Sequence, residues 1–135
     1  MKIFLLLDPP TATAQERQVT IVRNRPIFYQ PEKLKEAKRI LKLHLRPFKP
    51  KEPLDGAIEL HVSWMFPKGR HKHKEWRTTR PDTDNLQKML KDVMTDLGFW
   101  NDDSQVVREV VEKLWCDEPT GIDIEITKLN AIKED

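Results

Sequence analysis

The stretch Arg80-Pro81-Asp82-Thr83-Asp84-Asn85-Leu86-Gln87-Lys88 sets two carboxylates two residues apart and a lysine four residues after the second. In an extended segment such a pair projects to one side, so Asp82 and Asp84 can converge on one point at or just before a helix start. Two carboxylates at about 4 Å repel by roughly 1 to 4 kcal/mol unless a cation lies between them. A divalent ion resolves the conflict, and magnesium suits it: it prefers oxygen ligands, takes few carboxylates, and leaves room for water and substrate phosphate. A second group of acids follows in Gly98-Phe99-Trp100-Asn101-Asp102-Asp103. A third carboxylate from Asp102 or Asp103 would allow two metals to bridge a scissile phosphate, one activating water and one stabilising the leaving oxygen. Lys88 lies one helical turn beyond Asp84 on the same face, where it can neutralise charge growing on phosphoryl oxygens. Plainer roles exist for both: Asp84 as a helix N-cap, and Lys88 in a surface ion pair worth a few tenths of a kcal/mol. A helix needs only one cap, which leaves the second aspartate to be explained.

Upstream of the carboxylates lie Lys68, Arg70, Lys72, Lys74, Arg77 and Arg80, interleaved with His71, His73 and Trp76 and opposed only by Glu75. A charge run is commonly just a solvated face; leading straight into a metal site, it reads as a phosphate clamp. His71 and His73 lack further His or Cys partners at ligand spacing. Trp76 can stack on an exposed base or cover the core. Phe99 and Trp100 suit the packing of a helix end onto a sheet, and Cys116 suits a partly buried small side chain.

These residues need elements to hold them. At 135 residues and 16.0 kDa the chain is expected to fold as one domain spanning 1–135. With 38% hydrophobic and 34% charged residues it is polar but not disordered in profile. The net charge of +2 says less than the segregation of the charges. One cysteine excludes an internal disulfide, and the apolar run Ile3 to Leu7 is too short for a membrane span or a signal core, so a cytoplasmic protein is expected. That run reads as a first strand, followed by a polar loop over Thr11 to Gln15. Gln18 to Tyr29 reads as a hairpin turning at Arg23-Asn24-Arg25. Leu34, Ala37, Ile40, Leu41 and Leu45 recur at helical spacing, predicting a helix with Pro31 in its first turn and a stop before Pro47. The prolines from Pro47 to Pro53 predict a loop. Ile58, Leu60, Val62, Trp64 and Phe66 alternate with polar residues, predicting a strand with one buried face. Leu86, Met89, Leu90, Val93 and Leu97 predict a second long helix from Asp84 to Leu97, with Gly98 as its C-cap. Two strands follow, Val106 to Trp115 and one carrying Ile122, Ile124 and Ile126, separated by a turn at Pro119-Thr120-Gly121. The expected class is α+β: one mixed sheet of about four or more strands packed with two long helices.

On these residues the chain resembles the RusA family of Holliday junction resolvases. The family pattern is Asp-x-Asp-Asn-Leu, a Lys shortly after, then Gly, an aromatic pair, and Asp-Asp followed by Gln-Val. It stands here as Asp82-Thr83-Asp84-Asn85-Leu86, Lys88, Gly98-Phe99-Trp100 and Asp102-Asp103-Ser104-Gln105-Val106. The resemblance implies Asp82, Asp84 and Asp103 as magnesium ligands, Lys88 as a catalytic lysine, and Asp102 as a neighbour. It further implies a homodimer resolving four-way and related branched DNA; whether one or two ions serve each site, and whether manganese replaces magnesium, stays open at this point. The family's opening Pro-Pro-Ser-x-Asn is here Pro9-Pro10-Thr11-Ala12-Thr13-Ala14-Gln15, which lacks the asparagine.

Two other readings make different predictions. A restriction-enzyme type of nuclease uses Pro-Asp followed by Asp/Glu-x-Lys; Pro81-Asp82 supplies the first half, but no lysine after Asp82 has an acid two residues before it. A non-catalytic DNA-binding module would use the acids only as caps and solubilising groups, and would not respond to magnesium.

Overall fold

Period-two burial organises the sheet. In β4 (Ile58–Pro67), Ile58, Leu60, Val62, Trp64 and Phe66 are buried, while the residues between them are partly exposed. Each of these side chains contributes about 1.5–3 kcal/mol by leaving water. The computed structural model describes residues 1–11, 18–22, 25–29 and 32–133, with side chains for 1–11 and 32–133. Around β4 lies a mixed five-stranded sheet in the order β1 (Lys2–Leu6), β7 (Gly121–Lys128), β4, β6 (Val106–Cys116) and β5 (Glu75–Trp76). β4 runs parallel to β6, and the other pairings are antiparallel.

A parallel pair needs a crossover, and α2 (Thr83–Leu97) supplies it. Leu86, Met89, Leu90, Val93 and Leu97 face the core as their spacing requires, joined by Met94 and the polar Gln87. Gly98, at φ 88°, ends the helix in the left-handed conformation, its N–H reaching the Met94 and Thr95 carbonyls. α1 (Glu32–Leu45) packs beside α2 with Leu34, Ala37, Leu41 and Leu45 buried and Ile40 half-buried. Phe99 and Trp100 close the core below α2, with the Trp100 indole N–H donating to Thr95 Oγ1 at 2.8 Å. Cys116 is buried, which pushes its thiol pKa up.

The α+β class and both long helices stand as expected. Three details differ. The strands β2 (Gln18–Val22) and β3 (Arg25–Tyr29) pair with each other as a hairpin but form a second, separate two-stranded sheet. Pro47 sits in a single 3-10 turn, Arg46–Phe48, within the expected loop; proline's fixed φ suits a first helical position. The short edge strand β5 lies inside the basic run. The loop beyond Thr11, the turn at Arg23-Asn24 and Pro31 fall outside the described residues. Gly121 is required by close approach: a Cβ there would run into the Leu5 carbonyl oxygen and the Phe4 ring.

Candidate active site

α2 begins at Asp82, whose φ of −76° and ψ of 148° are those of an N-cap, and Thr83 is the first helical residue. An N-cap aspartate ordinarily accepts a hydrogen bond from the N–H two or three residues on, worth about 1 kcal/mol. Asp82 makes no such bond. The expectation that Asp84 might be the cap gives way to a different placement: Asp84 lies in the first helical turn, exposed, its Oδ1 accepting from the Asn85 N–H at 3.0 Å. Two carboxylates therefore stand at the positive end of the helix dipole, with neither closing the helix in the usual way.

A groove of about 480 Å³ runs along α2 where it faces β6. Thr83, Asp84, Gln87, Lys88 and Lys91 line it from the helix, Glu109 and Val111 from the strand, and Asp103 also contributes. Gln87 is fixed from both sides, its Oε1 accepting from the Trp64 indole at 2.8 Å and its Nε2 donating to Glu109 at 3.0 Å. Lys91 pairs with Glu109 at 3.3 Å. Lys88 is mostly exposed, 4.0 Å from Asp92, a geometry that leaves it free to turn toward an incoming phosphate.

The two residues of the second acidic pair have different surroundings. The Asp102 side chain accepts from the Ser104 N–H at 2.9 Å, and the Gln105 side chain accepts from the Asn101 and Asp102 N–H groups, a capping box on the turn Asp103–Gln105. The Ser104 backbone N–H is the chief reason the Asp102 carboxyl lies below its ordinary pKa. Asp102 thus holds the turn, and Asp103 is exposed beside it. Asp103 also lines a hollow with Asp92, Thr95 and Asp96 of the last turns of α2. Asp84 therefore enters the groove from the start of α2, and Asp103 from the turn that follows the helix. Among the described residues, no three His, Cys, Asp or Glu side chains stand close enough together to hold a metal ion. The chain thus sets Asp84 and Asp103 on one groove without gathering the three predicted carboxylates into a metal-binding cluster.

The basic run is tied to the sheet rather than hanging free. The Lys68 and Lys74 N–H groups donate to the Cys116 and Trp115 carbonyls, and Glu75–Trp76 pairs with β6. His71 stacks on Trp115 with ring centroids 4.2 Å apart and also meets Glu75, while His73 Nδ1 accepts from the Asp117 N–H at 2.9 Å. The two histidines thus fasten the loop. Lys68 pairs with Asp117 at 3.5 Å. Arg70, Lys72, Lys74 and Arg80 are exposed, as is Trp76, which does not cover the core. Arg77 is drawn inward over the Phe66 and Trp115 rings.

Sequence reasoning passed over Glu109 and Lys113. In the register Leu60↔Glu109, Val62↔Val111, Trp64↔Lys113 and Phe66↔Trp115, both lie on the core-facing side of β6. Their signal was available: two charges in phase with the inward-facing residues of a strand.

Residues 8–127 match the family model described as endodeoxyribonuclease RusA. The chain belongs to that family, and its class is that of a structure-specific endodeoxyribonuclease. Among its relatives is the crossover junction endodeoxyribonuclease rusA of Lactococcus phage r1t, 36% identical over 126 residues, covering 91% of this chain and 94% of the phage protein. Uncharacterized protein YqaN of Bacillus subtilis (strain 168) is 30% identical over 131 residues, covering 87% of this chain and 91% of that one. The matched span takes in both acidic pairs, Lys88 and the basic loop.

Proposed function

We propose that this chain is a magnesium-dependent resolvase of four-way and related branched DNA, acting as a homodimer in recombination and repair. Family membership supports the reaction, and one observation carries the assignment of the site: two carboxylates stand two residues apart at the start of α2, close in the chain to Lys88 and to an exposed basic run. The donors fit the metal by chemistry, being hard carboxylate oxygens with room for water and phosphate in the adjoining groove. Asp82, Asp84 and Asp103 are the residues that would hold it, in one or two ions per site. When bound, the metal supplies Lewis-acid stabilisation and an acidified water. Lys88 places its ammonium against charge that develops on the phosphoryl oxygens.

That Asp103 closes no metal cluster with Asp82 and Asp84 among the described residues bears on the dimer. A four-way junction requires two symmetric cuts, and a two-fold pair of subunits sets the same patches face to face. In this reading, Asp103 of a second copy completes each site. Among the described residues, no helix is long and apolar enough to cross a membrane. With relatives in a phage and a bacterium, the cytoplasm is the proposed place of action.

A magnesium titration against a labelled four-way junction and a linear duplex of the same sequence tests the reading. Cleavage that rises with magnesium and favours the junction is expected; bound junction left intact at every magnesium concentration would instead assign the chain as a DNA-binding module. The loop gives a second expectation. If Arg70, Lys72, Lys74 and Arg80 are the phosphate contacts, log affinity falls against log salt with a slope near −3.6, from roughly −0.9 per contact. A slope near −5 would mean that Lys68 and Arg77 leave their partners to join them.

A further inference from the structure

Three consecutive carbonyl oxygens leading into Asp82 are each held by a cation rooted on the sheet side. Lys113 Nζ donates to the Thr79 oxygen at 2.8 Å and to the Pro81 oxygen at 2.7 Å. Arg77 Nη2 donates to the Arg80 oxygen between them. The cations are themselves anchored: the Arg77 N–H donates to the Lys113 carbonyl at 3.0 Å, and the Arg77 guanidinium lies 4.2 Å from the Phe66 ring centre and 4.4 Å from that of Trp115. Residues 77–82 belong to neither helix nor strand, so their carbonyls must find donors elsewhere.

The choice of donor is costly. Withdrawal from water is the main influence lowering the pKa of both Arg77 and Lys113; for Lys113 the neighbouring guanidinium adds to it and the Asp82 carboxylate opposes it. Neutral amides could satisfy carbonyls without placing two positive charges side by side. What the charges add is a field on the next residue in the chain, whose carboxylate does not cap the helix.

We infer that Lys113 and Arg77 are positioning residues of the nuclease, a two-cation clamp on the Thr79–Pro81 carbonyls that sets where the Asp82 carboxylate stands. The inference rests on the reading of Asp82 as a metal-binding group. It separates the cations of this region into two sets, since Arg70, Lys72, Lys74 and Arg80 are exposed, whereas Arg77 and Lys113 grip the protein's own backbone.

The test compares Lys113→Met, Lys113→Arg and Arg77→Met in the full chain. Manganese binding to the free protein is followed by electron paramagnetic resonance, junction affinity is measured in EDTA, and cleavage is measured under single turnover. For Lys113→Met, manganese affinity and the cleavage rate each fall by about 10- to 100-fold, the usual cost of losing a group that orients a metal ligand. Junction affinity stays within about twofold, and Lys113→Arg, which keeps the charge and the donors, recovers most of the loss. Should Lys113→Met fail to fold, Arg77→Met keeps an unbranched body against Phe66 and Trp115 while removing the Arg80 contact, and the same weakening of manganese binding is expected. Unchanged manganese affinity in a folded variant overturns the clamp, as does a loss confined to junction affinity, which would make these cations phosphate contacts. A different pattern defeats the underlying reading and the clamp with it: wild-type protein that binds no manganese, or an Asp82→Asn variant that binds it as well as wild type.

Discussion

Asp82→Asn abolishes cleavage of a four-way junction while leaving junction binding intact. Asparagine keeps the shape of the side chain and remains a favoured N-cap residue, so α2 starts where it did and the fold is preserved. What disappears is one negative charge from the group proposed to hold the metal. Losing a ligand that serves to stabilise transition-state charge costs several kcal/mol; at about 4 kcal/mol the rate falls on the order of 10³-fold. Binding is proposed to rest on the basic loop, whose side chains the substitution leaves in place, and removing a negative charge beside DNA is expected to tighten it slightly. Single-turnover cleavage and a gel-shift titration on the same preparation separate the two quantities. Cleavage within a few-fold of wild type would remove Asp82 from the site. Joint loss of binding and cleavage, with a lowered melting temperature, would return it to a purely structural role.

Much of this architecture could be read from periodicity because one-sided burial leaves a regular trace. Ile58 through Phe66 alternate cleanly, as do Ile122, Ile124 and Ile126, and each set is buried as the alternation demands. Both helices announce themselves the same way. What periodicity does not carry is the partner of a strand that meets few others. The Gln18–Tyr29 hairpin was visible as a hairpin, but nothing local states that it forms its own sheet. Glu75–Trp76 was hidden because a two-residue edge strand is made by pairing with Trp115 and Leu114, contacts distant in sequence. The candidate site divides in the same manner. Asp82, Asp84 and Lys88 are neighbours in the chain, so their nearness follows from local geometry alone. Asp103 is joined to them in the sequence pattern and lines the same groove as Asp84, yet among the described residues it closes no cluster of three metal ligands with them, because it follows the crossover helix whose start carries the other two. Lys113 and Glu109 were missed because a charge on a strand reads as solvent-facing until the register shows which side it takes.

Because Asp82, Asp84 and Asp103 form no closed metal cluster within the described residues, a complementation experiment decides whether the third carboxylate comes from the same chain or a second copy. Asp84→Asn and Asp103→Asn proteins are each expected to be inactive, with losses on the order of 10³-fold. Mixed in equal amounts and allowed to exchange subunits, about half of the dimers carry one of each variant. Were every site built within one subunit, each half of such a dimer would still hold a defect, and the mixture would remain dead. If each site instead joins Asp82 and Asp84 of one copy to Asp103 of the other, the two defects fall together into one site and the second site is wholly wild type. The mixture should then recover about a quarter of the wild-type number of working sites. Its product distinguishes this outcome from simple contamination: a dimer with a single competent site nicks one strand of the junction and fails to make the paired cut, so nicked junctions accumulate where wild-type protein yields linear duplexes. Mixtures that stay as inactive as their components, after exchange has been verified with differently tagged subunits, would place the whole site inside one chain. Asp103 would then act along the groove that it shares with Asp84, or take no part in the site.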